Sequence, residues 1–147
     1  MPLPDSMDFS YIDRMLASFR RWTGKDLVAP ASPEALYYAP FVVVSHGTEA
    51  DPVFRYANLA AQRLWETPWE KFITLPSRLS AEPDARPERQ ALLERAARDG
   101  YADHYSGVRV TASGRRFAIS NCLLWNVLGE TGDKIGQAAT FSRWEWL

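Results

Sequence analysis

The residues best suited to acid–base chemistry stand side by side in the sequence, as Asp103 and His104. A carboxylate next to an imidazole can transfer protons, and small α+β-cone enzymes often use such a pair. Consecutive residues of a β-strand point to opposite faces, so these two can share a pocket only if a β-bulge intervenes. The sequence therefore favours a protein that is not an enzyme, and it keeps a small α+β-cone enzyme using Asp103 or His104 as an alternative.

The chain is poor in the side chains that bind transition metals. It has one cysteine, Cys122, and two histidines, His46 and His104. A single cysteine excludes an intrachain disulfide and a metal site built from cysteines. A site of two histidines and a carboxylate such as Asp103 would require separate strand ends to converge. We therefore expect no metal, and we expect both histidines at solvent-accessible strand ends.

Composition limits the classes of partner and the compartment. A chain of 147 residues with a net charge of −1 is expected to form one domain and has no basic surface for nucleic acid. Its apolar runs are too short to span a membrane. The N-terminal segment lacks the basic and apolar regions of a signal peptide, so we expect a cytoplasmic protein.

The periodicity of apolar residues predicts an α+β fold. Helical spacing predicts helices over residues 6–23, 58–65, 69–72 and 88–99. Alternating or β-branched runs predict strands over residues 41–46, 53–57, 104–111, 116–127 and 135–144. Asn58 stands between a strand and a helix, where its side chain can cap the helix N-terminus. The order of elements indicates a five-stranded antiparallel sheet with helices on one face, preceded by an amphipathic N-terminal helix.

Four separated segments carry a resemblance to a known family. They are PVFRYANLAAQRLWE (52–66), LPSRLSAEP (75–83), YSGVRVTASGRRFAISNCLLWN (105–126) and GQAATFSRW (136–144). In this order they resemble the MEKHLA domain, a PAS-related family known from bacteria, algae and the C-termini of plant class III homeodomain-leucine-zipper proteins. The resemblance implies a PAS-like MEKHLA domain over residues 41–147, with residues 1–40 as an N-terminal helix and connector. It also implies a sensory or regulatory role, because PAS domains bind small molecules or partner proteins and pass on a change.

Two cofactors of PAS domains are not expected. Segment 120–123, SNCL, is superficially similar to the NCR motif of flavin-binding photosensor PAS domains. However, Cys122 falls inside a predicted strand rather than on a short helix, and the Arg and Gln that follow in that motif are missing. Haem-binding PAS domains usually present an axial histidine from the long helix, and residues 88–99 contain none. We therefore predict neither flavin nor haem, and we interpret Cys122 as a small apolar strand residue.

The first candidate ligand contacts fall on two predicted strands. Strict alternation over residues 116–127 would place Phe117, Asn121 and Trp125 on one bulky face. Asn121 interrupts that apolar face, so it is either a hydrogen-bonded core residue or a ligand contact. Gln137 on the last strand is either an exposed residue or a second amide on the same face. Two amides on one face could orient a small polar ligand.

Aromatic and basic residues supply the remaining candidates. Three aromatic residues of the helical layer are spaced at i, i+4 and i+7, namely Trp65, Trp69 and Phe72. They could be core residues or an aromatic wall beside a planar or apolar ligand. Arg78 lies in a proline-bounded loop, where it could clamp a carboxylate or phosphate. The alternative for Arg78 is a surface ion pair with Glu82 or Asp84.

Apolar residues at both ends of the chain suggest how it could form a homodimer. The N-terminal helix has an apolar stripe that needs cover, and the chain ends in the apolar segment 144–147, WEWL. Both features favour a homodimer, although each could instead pack on its own domain. The sequence thus predicts a cytoplasmic, non-catalytic sensor that binds a small organic ligand and signals to an unidentified output protein. A protein-interaction module with a filled core and no ligand is the alternative.

Overall fold

The computed structural model describes residues 2–81 and 86–147. Its helices are α1 (Phe9–Thr23), α2 (Pro33–Tyr37), α3 (Leu59–Leu64), α4 (Trp69–Phe72) and α5 (Arg86–Asp99), with a 3-10 turn at Ser77–Ser80. Its strands are β1 (Val42–His46), β2 (Phe54–Ala57), β3 (Tyr101–Val110), β4 (Arg116–Leu128), β5 (Lys134–Phe141) and β6 (Arg143–Trp146). The predicted α+β class is confirmed, with element boundaries shifted by a few residues. Within the described ranges, no helix combines the length and apolarity needed to cross a membrane.

The strands form one antiparallel sheet in the order β2-β1-β5-β4-β3. Strand β6 pairs with the first part of β4, and β5 pairs with the second part. Strand β6 continues β5 along β4 without a shift of register. Leu123 lies opposite Thr140, and Ser120, three residues before Leu123, lies opposite Arg143, three residues after Thr140. The single strand predicted over residues 135–144 is thus two strands, interrupted at Ser142.

The N-terminal helix α1 covers one face of the sheet, as its apolar stripe requires. The indole N–H of Trp125 on β4 donates a hydrogen bond to the Met15 carbonyl of α1 at 3.1 Å. The backbone amide of Leu128 donates to the Ser18 hydroxyl at 2.8 Å. The apolar stripe that favoured a homodimer is therefore buried within the chain, and the homodimer stays a prediction.

Helices α3, α4 and α5 cover the other face of the sheet, and Asn58 joins this layer to β1. The Asn58 Oδ1 atom accepts hydrogen bonds from the amides of Ala61 and Val43, both at 3.1 Å. Its Nδ2 atom donates to the Phe41 carbonyl at 2.8 Å. The predicted N-cap of α3 is therefore confirmed. Because Asn58 is fully buried, the cap also holds the start of α3 on the sheet.

Two β-bulges lie close together where β3 and β4 pair. The register shifts between Ala102 and Tyr105, and it shifts back between Tyr105 and Gly107. The residues at these shifts are His104 and Asn121, whose φ angles are positive at 57° and 54°. Each bulge adds one residue to its strand, so the two strands continue in step beyond them.

The bulge at Asn121 reverses the alternation predicted for β4. Before it, Phe117 and Ile119 face the helical layer, and after it Cys122 takes that side. Trp125 consequently faces α1. The prediction that Phe117, Asn121 and Trp125 share one face is therefore wrong, because one added residue moves every later side chain to the opposite face.

Candidate ligand cavity

A cavity lies between the sheet and the helical layer of α3 and α5. Its volume is about 60 Å³. Most of its lining is apolar and includes Val44, Phe54, Trp65, Leu92, Ile119 and Phe141. Since an apolar cavity of about 150 Å³ can hold benzene, this cavity suits a ligand with only a few non-hydrogen atoms.

Trp65 organises the aromatic part of the lining. Its ring makes edge-to-face contacts with Phe72 at 5.9 Å, Phe117 at 5.3 Å and Phe141 at 6.0 Å between ring centroids. Its indole N–H donates to the Ser80 carbonyl at 3.4 Å. Of the predicted contacts, Trp65 lines the cavity, and Phe72 and Phe117 pack against it in the same core.

A buried pair of amide side chains lies on one side of the cavity. Gln137 lines the cavity, is 1% exposed, and donates from Nε2 to the Asn126 Oδ1 atom at 3.2 Å. The Nδ2 atom of Asn126 donates in turn to the Ala96 carbonyl of α5 at 2.9 Å. Gln137 is therefore neither an exposed strand residue nor a neighbour of Asn121. Its Oε1 atom accepts no hydrogen bond from the part of the chain that the structure describes.

A basic group and a phenol occupy another part of the lining. Tyr105 and Arg109 both line the cavity from β3, and the Arg109 Nη2 atom donates to the Tyr105 hydroxyl at 3.3 Å. Gly107 lies between them. A Cβ atom at Gly107 would lie 2.5 Å from the Tyr105 hydroxyl and 3.1 Å from the Arg109 Nη1 atom. The missing side chain of Gly107 thus leaves the space in which the two groups meet.

Cys122 lines the same cavity and lies opposite Tyr105 across the two strands. Burial raises the pKa of the Cys122 thiol to about 11, and the positive charge of Arg109 opposes this rise only in part. The thiol is therefore protonated at neutral pH. It behaves as a small apolar group and not as a nucleophile.

Asn121, Trp125 and Trp69 are predicted contacts that lie away from the cavity. Asn121 is exposed because it occupies the bulge, where its Oδ1 atom lies 3.3 Å from the His104 Nδ1 atom. Trp125 packs beneath α1 on the opposite face of the sheet. Trp69, the first residue of α4, belongs to that same core. Trp65 is the C-cap residue of α3, and the break between α3 and α4 means that the spacing of the two Trp residues sets no common face.

Arg78 forms a surface ion pair. Its Nε atom lies 3.2 Å from the Asp51 Oδ1 atom, and both side chains are more than half exposed. Arg78 is not part of the cavity lining. The partners suggested by the sequence, Glu82 and Asp84, lie outside the described residues. The observed partner is distant in sequence and is brought near by the fold.

Asp103 and His104 lie on the surface at the β3 bulge. The His104 Nε2 atom is 3.7 Å from the Asp103 Oδ2 atom, and the imidazole is 80% exposed. Arg95 of α5 lies 3.9 Å from the other carboxylate oxygen. Neither member of the pair lines the cavity. Over residues 2–81 and 86–147, no group of histidine, cysteine and acidic side chains is placed to hold a metal ion.

Apart from Gln137, the sequence-based candidates omit the polar part of the lining. A signal for two of the missing residues is present, because Tyr105, Gly107 and Arg109 alternate along one strand. A glycine between two long side chains with polar ends leaves space for those ends to meet. No comparable signal identifies Asn126, because its partner depends on the register between β4 and β5.

Comparison with protein families assigns this fold. The model of the MEKHLA domain matches residues 9–146. The chain belongs to the MEKHLA domain family. The MEKHLA match begins at the first residue of α1, the helix that covers the sheet face opposite the cavity. Among curated proteins, none matches the sequence.

Solved structures similar to this MEKHLA domain have the PAS fold. A PAS domain from Colwellia psychrerythraea has a TM-score of 0.64 at 13% identity, covering 78% of this chain and 92% of that one. A light-oxygen-voltage domain studied with a flavin analogue has a TM-score of 0.60 at 13% identity, covering 78% and 82%. The photo-excited blue-light photoreceptor Vivid has a TM-score of 0.56 at 13% identity, covering 70% and 78%. At these identities the likeness establishes the fold alone, and the predicted PAS-like fold is confirmed.

The likeness to light-oxygen-voltage domains raises the question of a flavin. Pockets for drug-sized ligands span roughly 300–1,000 Å³, several times the 60 Å³ of this cavity. Cys122 lies on β4, and its buried thiol has a raised pKa. The residues of this MEKHLA domain therefore do not fit a flavin. The expectation that the chain binds neither flavin nor haem stays a prediction.

Proposed function

We propose that this MEKHLA domain is a non-catalytic sensory module that binds a small organic ligand in its cavity and passes the change to a partner protein. The observation that carries the proposal is the cavity itself. Its mainly apolar lining also contains the polar residues Ser45, His46, Ser80, Tyr105, Arg109, Cys122 and Gln137. An apolar concave site with a few convergent polar groups is the usual form of a small-molecule site. The PAS fold supports the sensory part of the proposal.

The hydrogen bonds beside the cavity offer a route for the change. Gln137 binds Asn126, and Asn126 binds the carbonyl of Ala96 on α5. A ligand that contacts Gln137 acts directly on this chain of two bonds. Such a ligand would alter how α5 is held on the sheet, which is a differential contact of the kind that shifts a conformational equilibrium.

A protein-interaction module without a ligand is the second candidate, and an exposed aromatic surface favours it. Tyr38 and Trp146 are 43% and 44% exposed and line one surface groove beside α3. Aromatic residues are enriched in protein–protein interfaces. In this alternative the cavity binds nothing and the groove is the functional surface.

Native mass spectrometry of the freshly purified chain separates the two candidates. We expect a mass above that of the polypeptide, lost on denaturation. Ala139→Leu should remove the added mass, because Ala139 lines the cavity from β5 and a larger side chain would fill it. Ala118→Leu is the matched control, because Ala118 lies on β4 outside the cavity lining and should keep the added mass.

Thermal unfolding of both variants verifies that each is folded before its spectrum is interpreted. An added mass that persists in folded A139L would place the ligand outside the cavity and contradict the proposal. A bare polypeptide mass for the wild-type chain would shift the assignment to the interaction module. The same spectra show whether the particle contains one chain or two, which tests the predicted homodimer.

A further inference from the structure

The cavity contains a positive charge that the described part of the protein does not neutralise. Arg109 is half-buried, and none of the ion pairs among the described residues includes it. Its guanidinium donates to the Tyr105 hydroxyl and, at 3.0 Å, to the carbonyl of Val108. Within the described residues its hydrogen-bond partners are neutral, so the half-buried charge loses hydration without gaining an opposite charge there. An anion in the cavity would offset that loss.

The donors on this side of the cavity are arranged to receive an acceptor. The Tyr105 hydroxyl accepts its hydrogen bond from Arg109, so its own proton is free to be donated to a ligand. The guanidinium has five N–H donors, more than the two bonds that it makes within the described residues. A carboxylate accepts charge-assisted bonds from such a group at two oxygens. The space above Gly107 holds both donors on the inner face of β3.

Arg109 itself belongs to the lining of the cavity, and a Cβ atom at Gly107 would lie 3.1 Å from its Nη1 atom. Its positive charge lowers the pKa of Cys122, a buried residue of the neighbouring strand, against the larger rise caused by burial.

The size and polarity of the remaining lining limit the class of anion. The rest of the cavity is mainly apolar and measures about 60 Å³, so it accepts a short hydrocarbon chain. Among the described lining residues Arg109 is the one arginine or lysine, and its single charge matches a monocarboxylate better than a phosphate monoester of charge about −2. Resting on the ligand-binding function proposed above, we propose that the cavity binds a short-chain aliphatic monocarboxylate. Its carboxylate lies on Arg109 and Tyr105, and its alkyl chain lies among the apolar residues.

Propionate and propionamide are matched probes for this proposal, because they have the same number of non-hydrogen atoms and differ in charge. Ligand-observed NMR titrations of the full chain would measure both dissociation constants. We expect propionate to bind at least about tenfold more tightly than propionamide, since charge-assisted hydrogen bonds are roughly twice as strong as neutral ones. Butyrate and acetate in the same titration measure how the alkyl chain fills the cavity.

Substitutions at Arg109 and Gly107 test whether these residues cause the preference for propionate over propionamide. Arg109→Gln should weaken propionate at least about tenfold and leave propionamide unchanged, whereas Arg109→Lys should keep part of the preference. Gly107→Ala should weaken propionate as well, because its Cβ displaces Tyr105 and Arg109. Arg20→Gln is the matched control, since it removes the same charge from an exposed ion pair on α1 and should change neither affinity.

The outcomes separate this inference from the proposed function. Equal affinities for propionate and propionamide would overturn the carboxylate assignment while a cavity ligand remained. Binding of propionate that survives Arg109→Gln would overturn it as well. If neither probe binds and the wild-type chain also shows a bare polypeptide mass, both the assignment and the ligand-binding function fail. Circular dichroism of each variant confirms that a lost affinity does not reflect lost folding.

Discussion

The Nδ1 atom of His104 lies 3.3 Å from the Oδ1 atom of Asn121, and both residues hold positive φ angles on neighbouring strands. Asn and His are among the residues that adopt this conformation most readily. The two residues mark the paired bulges that turn Cys122 towards the cavity. Two exposed side chains thus accompany the backbone geometry that decides which residues line a buried site.

The backbone at Asn121 predicts a specific pattern of stability changes. Asn121→Val should lower the free energy of unfolding by about 1–2 kcal/mol, because a β-branched residue is strained at positive φ. Asn121→Gly should be close to neutral, since glycine adopts this conformation freely. Urea unfolding measures both. Ser120→Val, at the exposed neighbouring position, is the control and should change little; an equal loss there would contradict an origin in backbone strain.

The bond between Gln137 and Asn126 predicts a coupling energy. Asn126→Leu removes the acceptor of the Gln137 Nε2 atom and should cost about 1–3 kcal/mol of unfolding free energy. Gln137→Leu should cost a similar amount. The double variant should lose less than the sum of the two by at least about 0.5 kcal/mol, because residues in one hydrogen-bond network couple. Strict additivity in urea unfolding would show that the two amides act independently.

Helix α1 contributes directly to stability through its buried stripe. Phe19 is 8% exposed and meets Trp125 edge to face at 5.1 Å between ring centroids. Phe19→Ala should therefore cost about 3–5 kcal/mol of unfolding free energy. Phe9→Ala is the matched control, because Phe9 lies on the same helix and is 49% exposed. Similar losses for the two variants, measured by chemical unfolding, would mean that α1 does not pack on the sheet as described.

The buried thiol predicts a loss of stability at alkaline pH. Burial raises the pKa of Cys122 from about 9 to about 11. Because the folded pKa is the higher one, the stabilising contribution is complete below about pH 9 and is lost as the pH rises towards 11. Between these limits the wild-type chain should lose about 2 kcal/mol more than Cys122→Ala. Tyr11, whose pKa burial raises to about 12, is present in both proteins and cancels.

Urea unfolding at several values of pH measures this difference. Parallel pH profiles for the wild-type chain and Cys122→Ala would show that the thiol is not buried in the folded state. The comparison is independent of the stability lost by removing the sulfur atom, because only the slopes with pH are compared.

Local signals in the sequence were enough to locate most elements. Residues 69–72 form the predicted short helix, and Asn58 caps α3 as its position between a strand and a helix indicated. The apolar stripe of α1 lies on the sheet, one of the two arrangements that the sequence left open. Each of these features depends on neighbours within a few residues, so propensity and periodicity are sufficient to predict it.

The cavity depended on contacts between distant parts of the chain. Asn121 shares the alternating pattern of β4 in the sequence, but its bulge exists because of the pairing with β3, and it reverses the faces of all later residues. For the same reason Gln137 meets Asn126 and not Asn121, and Trp125 lies beneath α1. A bulge of one residue leaves the composition and the apolar periodicity of the sequence unchanged, so neither property predicts it. The packing of both faces of the sheet determines the register of β3 and β4, and this register determines which residues line the cavity.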